Sequence, residues 1–113
     1  MGAVMISALL LAGGAEAHAR LVSADPGANA AVAAPEKLTL HFSEKLEPKY
    51  SGLSVMKADG SAVSVTTTVS TTDRTIMEGA PTAHLSPGGY MVMWHAVSAD
   101  GHKTQGEYNF TAR

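Results

Sequence analysis

Short runs of alternating apolar and polar residues constrain the fold of this chain more than any other feature. In one run, Leu38, Leu40 and Phe42 fall on one side of an extended strand, while Thr39 and His41 fall on the other. Clusters of glycine, proline and aspartate interrupt such runs at short intervals, which is typical of a sandwich or barrel. We therefore predict an all-β fold, an immunoglobulin-like antiparallel β-sandwich of about seven strands.

The bounds of the strands follow from where the alternation starts and stops. The predicted strands are Arg20–Ala24, Lys37–Ser43, Gly52–Lys57, Ala62–Ser70, Arg74–Glu78, Gly89–Ser98 and Gln105–Ala112. The alanine-rich segment Asn29–Ala34 is short and lies between Pro26 and Pro35, so we interpret it as a loop with a single turn.

The first 17 residues have the pattern of a secretory signal peptide. Their apolar run, Val4–Leu11, is shorter than the ~20 residues that a membrane-spanning helix needs. Small residues follow, and Ala15 and Ala17 flank one residue as in an A-x-A cleavage sequence. We predict cleavage after Ala17, which makes His18 the first residue of a single mature domain, 18–113, in the periplasm.

Composition excludes several classes of function. The chain has no cysteine, which rules out Cys-based zinc sites, thiolate copper sites and cysteine nucleophiles. Eight Lys and Arg residues against ten Asp and Glu residues give a formal net charge of −2. Such a chain, without a basic cluster, is not expected to bind nucleic acid or anionic lipid.

The predicted new N-terminus can bind a metal in a way that no internal residue can. The α-amine and Nδ1 of His18 can chelate one ion, whereas the backbone nitrogen of an internal histidine is a planar amide. An α-amine has a reference pKa of ~7.7–8.0 against ~10.4 for lysine, so a metal displaces its proton readily near neutral pH. The alternative is that cleavage falls before an arbitrary residue.

A second candidate site is the segment Asp100-Gly101-His102. Gly101 allows a positive φ, with which the side chains of Asp100 and His102 can converge. One carboxylate and one imidazole, added to the two nitrogens of His18, make a four-coordinate set that suits Cu(II). The alternative is an ordinary Asp-Gly turn with a solvated histidine.

Three segments resemble the copper-resistance protein CopC family. They are HARLVSADP at 18–26, LHFSE at 40–44, and the stretch from Gly89-Tyr90 through Trp94 to His102. They occur in the order and at the spacing of the family, over essentially all of 18–113. The resemblance implies a small periplasmic β-sandwich that binds Cu(II) through the mature N-terminal histidine and an Asp-x-His pair, here His18, Asp100 and His102.

The resemblance also implicates Glu44, which matches a carboxylate that serves some members as an additional or outer ligand. The alternative for Glu44 is a solvated glutamate at a strand end. Some members bind Cu(I) through a methionine-rich loop between the third and fourth strands. Here that stretch is the short turn 57–61, without a methionine cluster. The chain therefore resembles the Cu(II)-only branch, and we predict no second tight Cu(I) site.

The remaining histidines and methionines have weaker claims to a metal. Met91, Met93 and His95 alternate on one face of a predicted strand. Methionines on a strand more often fill a gap in a core or interface, and Cu(I) binding is the alternative. We interpret His41 and His84 as surface residues or as supports for the ligands.

The function predicted from these residues and the resemblance is copper buffering, resistance or delivery, without enzymatic activity. By resemblance, the partner is a CopD-type inner-membrane copper transporter, and we expect a monomer. Two other classes stay open: a copper-dependent oxidative enzyme with a histidine-chelate site, and a metal-free immunoglobulin-like module. The anionic Asp100 argues against the enzyme because it should stabilise Cu(II) over the Cu(I) state that meets oxygen.

Overall fold

The computed structural model describes residues 18–113, so the predicted leader lies outside the described part. The strands are β1 (Leu21–Asp25), β2 (Ala31–Val32), β3 (Leu38–Phe42), β4 (Gly52–Lys57), β5 (Ala62–Val63), β6 (Val65–Val69), β7 (Ile76–Pro81), β8 (Gly88–Val97) and β9 (Lys103–Ala112). A 3-10 turn, Pro48–Tyr50, lies between β3 and β4. Within 18–113, no helix has the length and apolar character to span a membrane.

The strands form two sheets with a shared core. One sheet has the order β1-β3-β7-β6, and the other has the order β2-β9-β8-β4-β5. Paired strands run antiparallel, except that β2 lies parallel to β9. The predicted all-β sandwich is confirmed.

The core between the sheets follows the predicted alternation. On β8, Tyr90, Val92 and Trp94 are buried, and the residues between them face outward. The rings of Trp94 and of Phe42 in the other sheet pack in a T-shaped arrangement, with 5.1 Å between ring centroids. Gly106 of β9 lies against Trp94, where a Cβ atom would come within 2.6 Å of the indole ring. This packing fixes β8, and with it the turn that follows β8.

The predicted strand Ala62–Ser70 is wrong as a single element. It is broken at Ser64 into β5 and β6, which belong to different sheets. The chain crosses from one sheet to the other at this point, which residue alternation along the chain cannot reveal. The predicted Arg74–Glu78 strand also starts later, at Ile76, and continues to Pro81. Its start is delayed because Asp73 Oδ1 accepts a hydrogen bond from the Thr75 amide at 3.0 Å and holds a turn there.

The predicted loop Asn29–Ala34 contains the short strand β2. Its backbone is held by the end of β9: the Thr111 amide donates to Ala30 O at 2.8 Å, and the Arg113 amide donates to Val32 O at 2.7 Å. With β2 and the divided strand, residues 18–113 contain nine strands where about seven were predicted. The reason is that long-range pairing, rather than local propensity, forms the two-residue strands.

Candidate metal centre

Residues 18–20 are held in place by two hydroxyl side chains, those of Ser43, just after β3, and Thr104 on β9. Ala19 is buried, and its carbonyl accepts a hydrogen bond from Thr104 Oγ1 at 2.8 Å. Ser43 Oγ accepts from the Arg20 amide at 2.9 Å and donates to His18 O at 3.4 Å. His18 is therefore placed at one end of the sandwich, beside the end of β3 and the start of β9.

The turn between β8 and β9 lies at the same end. It is closed by backbone hydrogen bonds from the Gly101 amide to Ser98 O at 2.8 Å and from the Ser98 amide to His102 O at 3.0 Å. Gly101 has φ 90°, a conformation that glycine adopts without steric cost. The turn places Asp100 and His102 two residues apart on one side of the chain.

The carboxylate of Asp100 organises this turn. Its Oδ2 lies 2.9 Å from His102 Nδ1, and its Oδ1 accepts from the His102 amide at 3.3 Å and from the buried Ser98 hydroxyl. The hydrogen bonds from Ser98, and then those from His102, lower the pKa of Asp100 to about 2. The group is thus an anion near neutral pH. A neutral His102 ring that donates from Nδ1 keeps the lone pair of Nε2 free for a ligand.

The two histidines meet at this end of the molecule. The rings of His18 and His102 stack with 4.5 Å between their centroids and 30° between their planes. Both residues are exposed, so an ion can reach them from solvent. The structure therefore brings His18 to the turn that carries Asp100 and His102, although His18 lies more than 80 residues before them in the chain.

Glu44 lies next to the same turn. The Ala99 amide donates to Lys45 O at 3.2 Å, and a β-bridge joins Leu46 to Ser98. Glu44 is half-buried, and with Asp100 it lines a cleft beside the turn. Glu44 and Asp100 thus border one space.

The donor groups lie near one another but do not form a complete metal-binding site. Within residues 18–113, no three His, Asp or Glu side chains are arranged to hold a metal ion. Asp100 Oδ2 is engaged with His102 rather than turned towards His18. Joint coordination would require Asp100 to leave that hydrogen bond and the two rings to leave their stack. Side-chain rotations of this kind are fast and need no movement of the strands.

The other candidate residues lie elsewhere. His41 is exposed on β3 and pairs with Ser23 of β1. His84 precedes β8, whereas the Asp100 turn follows the opposite end of that strand. Met91 and Met93 lie on the face of β8 turned away from the core.

Sequence reasoning missed the hydroxyl groups that hold the site: Ser43, Ser98 and Thr104. Each lies within two residues of a candidate ligand in the sequence. Serine and threonine at strand ends usually face solvent, so a single sequence offers no signal that separates these three from the others.

Known proteins are similar to this chain over most of its length. The family model of the CopC domain matches residues 21–113. Copper resistance protein C of Escherichia coli is 42% identical over 106 aligned positions, which cover 88% of this chain and 84% of that protein. Copper resistance protein C of Pseudomonas syringae pv. tomato is 38% identical, with 97% of this chain and 88% of that protein covered. Copper transport protein CutJ of Bacillus subtilis is 31% identical over 84% of this chain, but the match covers only 18% of CutJ.

Solved structures show the same fold. The methionine-rich copper resistance protein PcoC of Escherichia coli superposes with a TM-score of 0.80 and 38% identity, covering 86% of this chain and 100% of PcoC. CopC of Methylosinus trichosporium OB3b superposes with a TM-score of 0.79 and 32% identity, covering 84% of this chain and 93% of that one.

Proposed function

Because the chain belongs to the CopC family of copper resistance proteins, we propose that it is a periplasmic protein that binds one Cu(II) ion through His18, Asp100 and His102. The observation that carries this proposal is the 4.5 Å stacking of the His18 and His102 rings beside the Asp100 carboxylate. Both rings are exposed at the same end of the sandwich, and they belong to residues that the sequence predicts as donors.

The donor set explains the choice of metal. After cleavage, His18 supplies its amine and Nδ1, His102 supplies an imidazole nitrogen, and Asp100 supplies an oxygen. Three nitrogens and one oxygen favour tetragonal Cu(II), which also stands above Ni(II), Co(II) and Zn(II) in affinity for such sites. The negative charge of Asp100 stabilises the divalent ion. Glu44 borders the same cleft and adds a second negative charge without a place among the four donors.

Hydrogen bonds to residues 18–20 hold the backbone of the chain end before an ion binds. Ordering a free chain end costs roughly 1–2 kcal/mol per residue. Here the bonds from Ser43 and Thr104 to residues 18–20 have already fixed the backbone. Copper binding then needs side-chain rotation alone, and the exposed position lets a partner remove the ion.

We propose buffering or delivery of copper rather than catalysis. An oxygen-activating copper enzyme must reach Cu(I), and an anionic Asp100 ligand disfavours that state. Reductant and peroxide added to the copper-loaded protein should therefore give no oxidation of a test polysaccharide beyond that of free copper. If the protein were instead a metal-free immunoglobulin-like module, it would retain no copper in equilibrium dialysis.

An inner-membrane copper transporter of the CopD type is the proposed partner. The match to Copper transport protein CutJ supports this, because a segment similar to this chain occupies 18% of that longer protein. A domain and a transporter that occur in one polypeptide commonly act on the same cargo.

The first prediction is that tight Cu(II) binding requires cleavage after Ala17. Protein that begins at His18 should bind one Cu(II), while protein that keeps Ala17 should bind at least about tenfold more weakly, which corresponds to roughly 1.4 kcal/mol. The reason is that an amide nitrogen at His18 removes one chelating donor. Competition with a Cu(II) chelator measures both affinities, and equal affinities would show that the amine is not a ligand.

A further inference from the structure

The outer face of the five-stranded sheet carries a group of soft ligands that the Cu(II) proposal does not use. Residues 18–113 contain four methionines, and Met77 is buried in the core. The other three, Met56, Met91 and Met93, face away from the core on β4 and β8, together with His95. We refer to Met56, Met91, Met93 and His95 as the methionine face.

Strand register brings the three sulfur side chains close together. Met56 of β4 is the direct partner of Met91 of β8. Directly paired residues have Cβ atoms roughly 4.5–5.5 Å apart, and diagonal neighbours such as Met56 and Met93 are roughly 7–8 Å apart. Met91 and Met93 are alternate residues of one strand, about 7 Å apart. The Cβ atoms of the three methionines therefore form a small triangle. The backbone of Met91 and Met93 is held from both sides, since β8 lies between β4 and β9.

The methionine face departs from the composition expected of an outward sheet face. Such faces are usually polar, and the β9 residues opposite Met91 and Met93 are the polar Asn109 and Glu107. Met56, Met91 and Met93 are nevertheless only half-buried. They do not fill the core, which was one of the two packing roles, core or interface, that the sequence favoured for Met91 and Met93.

His95 continues the face towards the Cu(II) end of β8. It is exposed, and its ring lies over Gly52, where an added Cβ would be 3.3 Å from His95 Cε1. Gly52 thus leaves room for the imidazole to lie along the sheet. Only Ser54, the direct partner of Met93, separates Gly52 from Met56 on this face of β4.

We propose that the methionine face binds one Cu(I) ion through the thioether sulfurs of Met56, Met91 and Met93, with His95 as an adjoining nitrogen donor. Thioethers are soft ligands that select Cu(I), and imidazole also accepts copper. Methionine has three rotatable side-chain bonds, so sulfurs on neighbouring strands can turn towards one ion. The proposal revises the expectation of no second tight Cu(I) site. That expectation followed from the missing methionine-rich loop, and it left Cu(I) binding by Met91, Met93 and His95 as the alternative. The sequence alone could not show that Met56 is a neighbour of Met91.

The test uses cleaved protein, Cu(I) supplied without oxygen, and a chromophoric Cu(I) chelator as competitor. The Met91→Leu/Met93→Leu variant keeps side-chain volume but removes two sulfurs, so it should lose roughly tenfold or more in Cu(I) affinity, or about 1.4 kcal/mol. Ser54→Ala is the matched control, because it changes the same sheet face without removing a donor, and it should bind Cu(I) as the wild type does. X-ray absorption of the Cu(I) protein should show sulfur ligands that decrease in the double variant.

Two further measurements separate this proposal from the Cu(II) site. Cu(II) affinity should be unchanged in Met91→Leu/Met93→Leu, and Cu(I) affinity should persist in His18→Ala. Equal Cu(I) affinity in the wild type and the double variant, with matching melting temperatures, would overturn the proposal. So would loss of Cu(I) from His18→Ala, because that would place the ion at the chain end.

Discussion

The proposed ligands differ in how many donor atoms each residue supplies. His18 provides two atoms of one chelate ring after cleavage, whereas Asp100 and His102 provide one each. In the copper-free protein Asp100 also holds His102 through the 2.9 Å contact with Nδ1, so its removal affects the charge of the site and the orientation of the ring before the ion binds. Glu44 is half-buried in the neighbouring cleft.

These differences predict the order in which single substitutions weaken Cu(II) binding. His18→Ala should cost most, His102→Ala and Asp100→Asn less, and Glu44→Gln least, because glutamate contributes mainly charge. Copper-free melting temperatures should be nearly equal, since His18, Asp100 and His102 are exposed. The rise in melting temperature on adding Cu(II) should shrink in the same order, as expected for a ligand that binds the folded state. A Glu44→Gln effect as large as that of His18→Ala would place Glu44 among the direct ligands.

At the scale of elements, residues at the end of β3 and the start of β9 position the segment that precedes β1. Thr104 on β9 holds Ala19, and Ser43, just after β3, holds residues 18 and 20. The Ser43→Ala/Thr104→Val variant should bind Cu(II) about tenfold more weakly although it keeps every donor, because freeing a residue restores ~1–2 kcal/mol of backbone entropy. Thr111→Val, also on β9 and exposed, is the control and should bind normally. Chelator competition measures the affinities.

If this variant bound Cu(II) as tightly as the wild type, residues 18–20 would have to be ordered by the metal alone. Backbone hydrogen exchange of the copper-free protein gives an independent check. The Arg20 amide, which donates to Ser43 Oγ, should exchange faster in the variant than in the Thr111→Val control.

At the scale of the whole molecule, the position of β8 depends on the contact between Trp94 and Gly106. A Cβ atom at Gly106 would lie 2.6 Å from the Trp94 ring, so Gly106→Ala must displace the indole from its place against Phe42. Overpacking of this kind costs roughly 1–3 kcal/mol in the free energy of unfolding. Gly89→Ala, where the nearest atom would be 3.7 Å away, is the matched control. Urea denaturation should show a clear loss for Gly106→Ala and little change for Gly89→Ala.

Residue order by itself determined the class of the fold and most of its core. Alternation placed Leu38, Leu40 and Phe42 in the core, where all three are buried. Donor chemistry selected His18, Asp100 and His102 as candidates, together with a glycine that adopts the positive φ the turn needs. Such features depend on a residue and its near neighbours, so they can be recognised without knowing where the rest of the chain lies.

Tertiary structure alone decided the features that join distant parts of the chain. Thr104 and Ala19 are 85 residues apart, yet they share a hydrogen bond. The pairing of Met56 with Met91 depends on the register of β4 against β8, and the division at Ser64 depends on where the chain changes sheets. Each of these contacts is set by the packing of two sheets around one core, and local propensity carries no information about that packing.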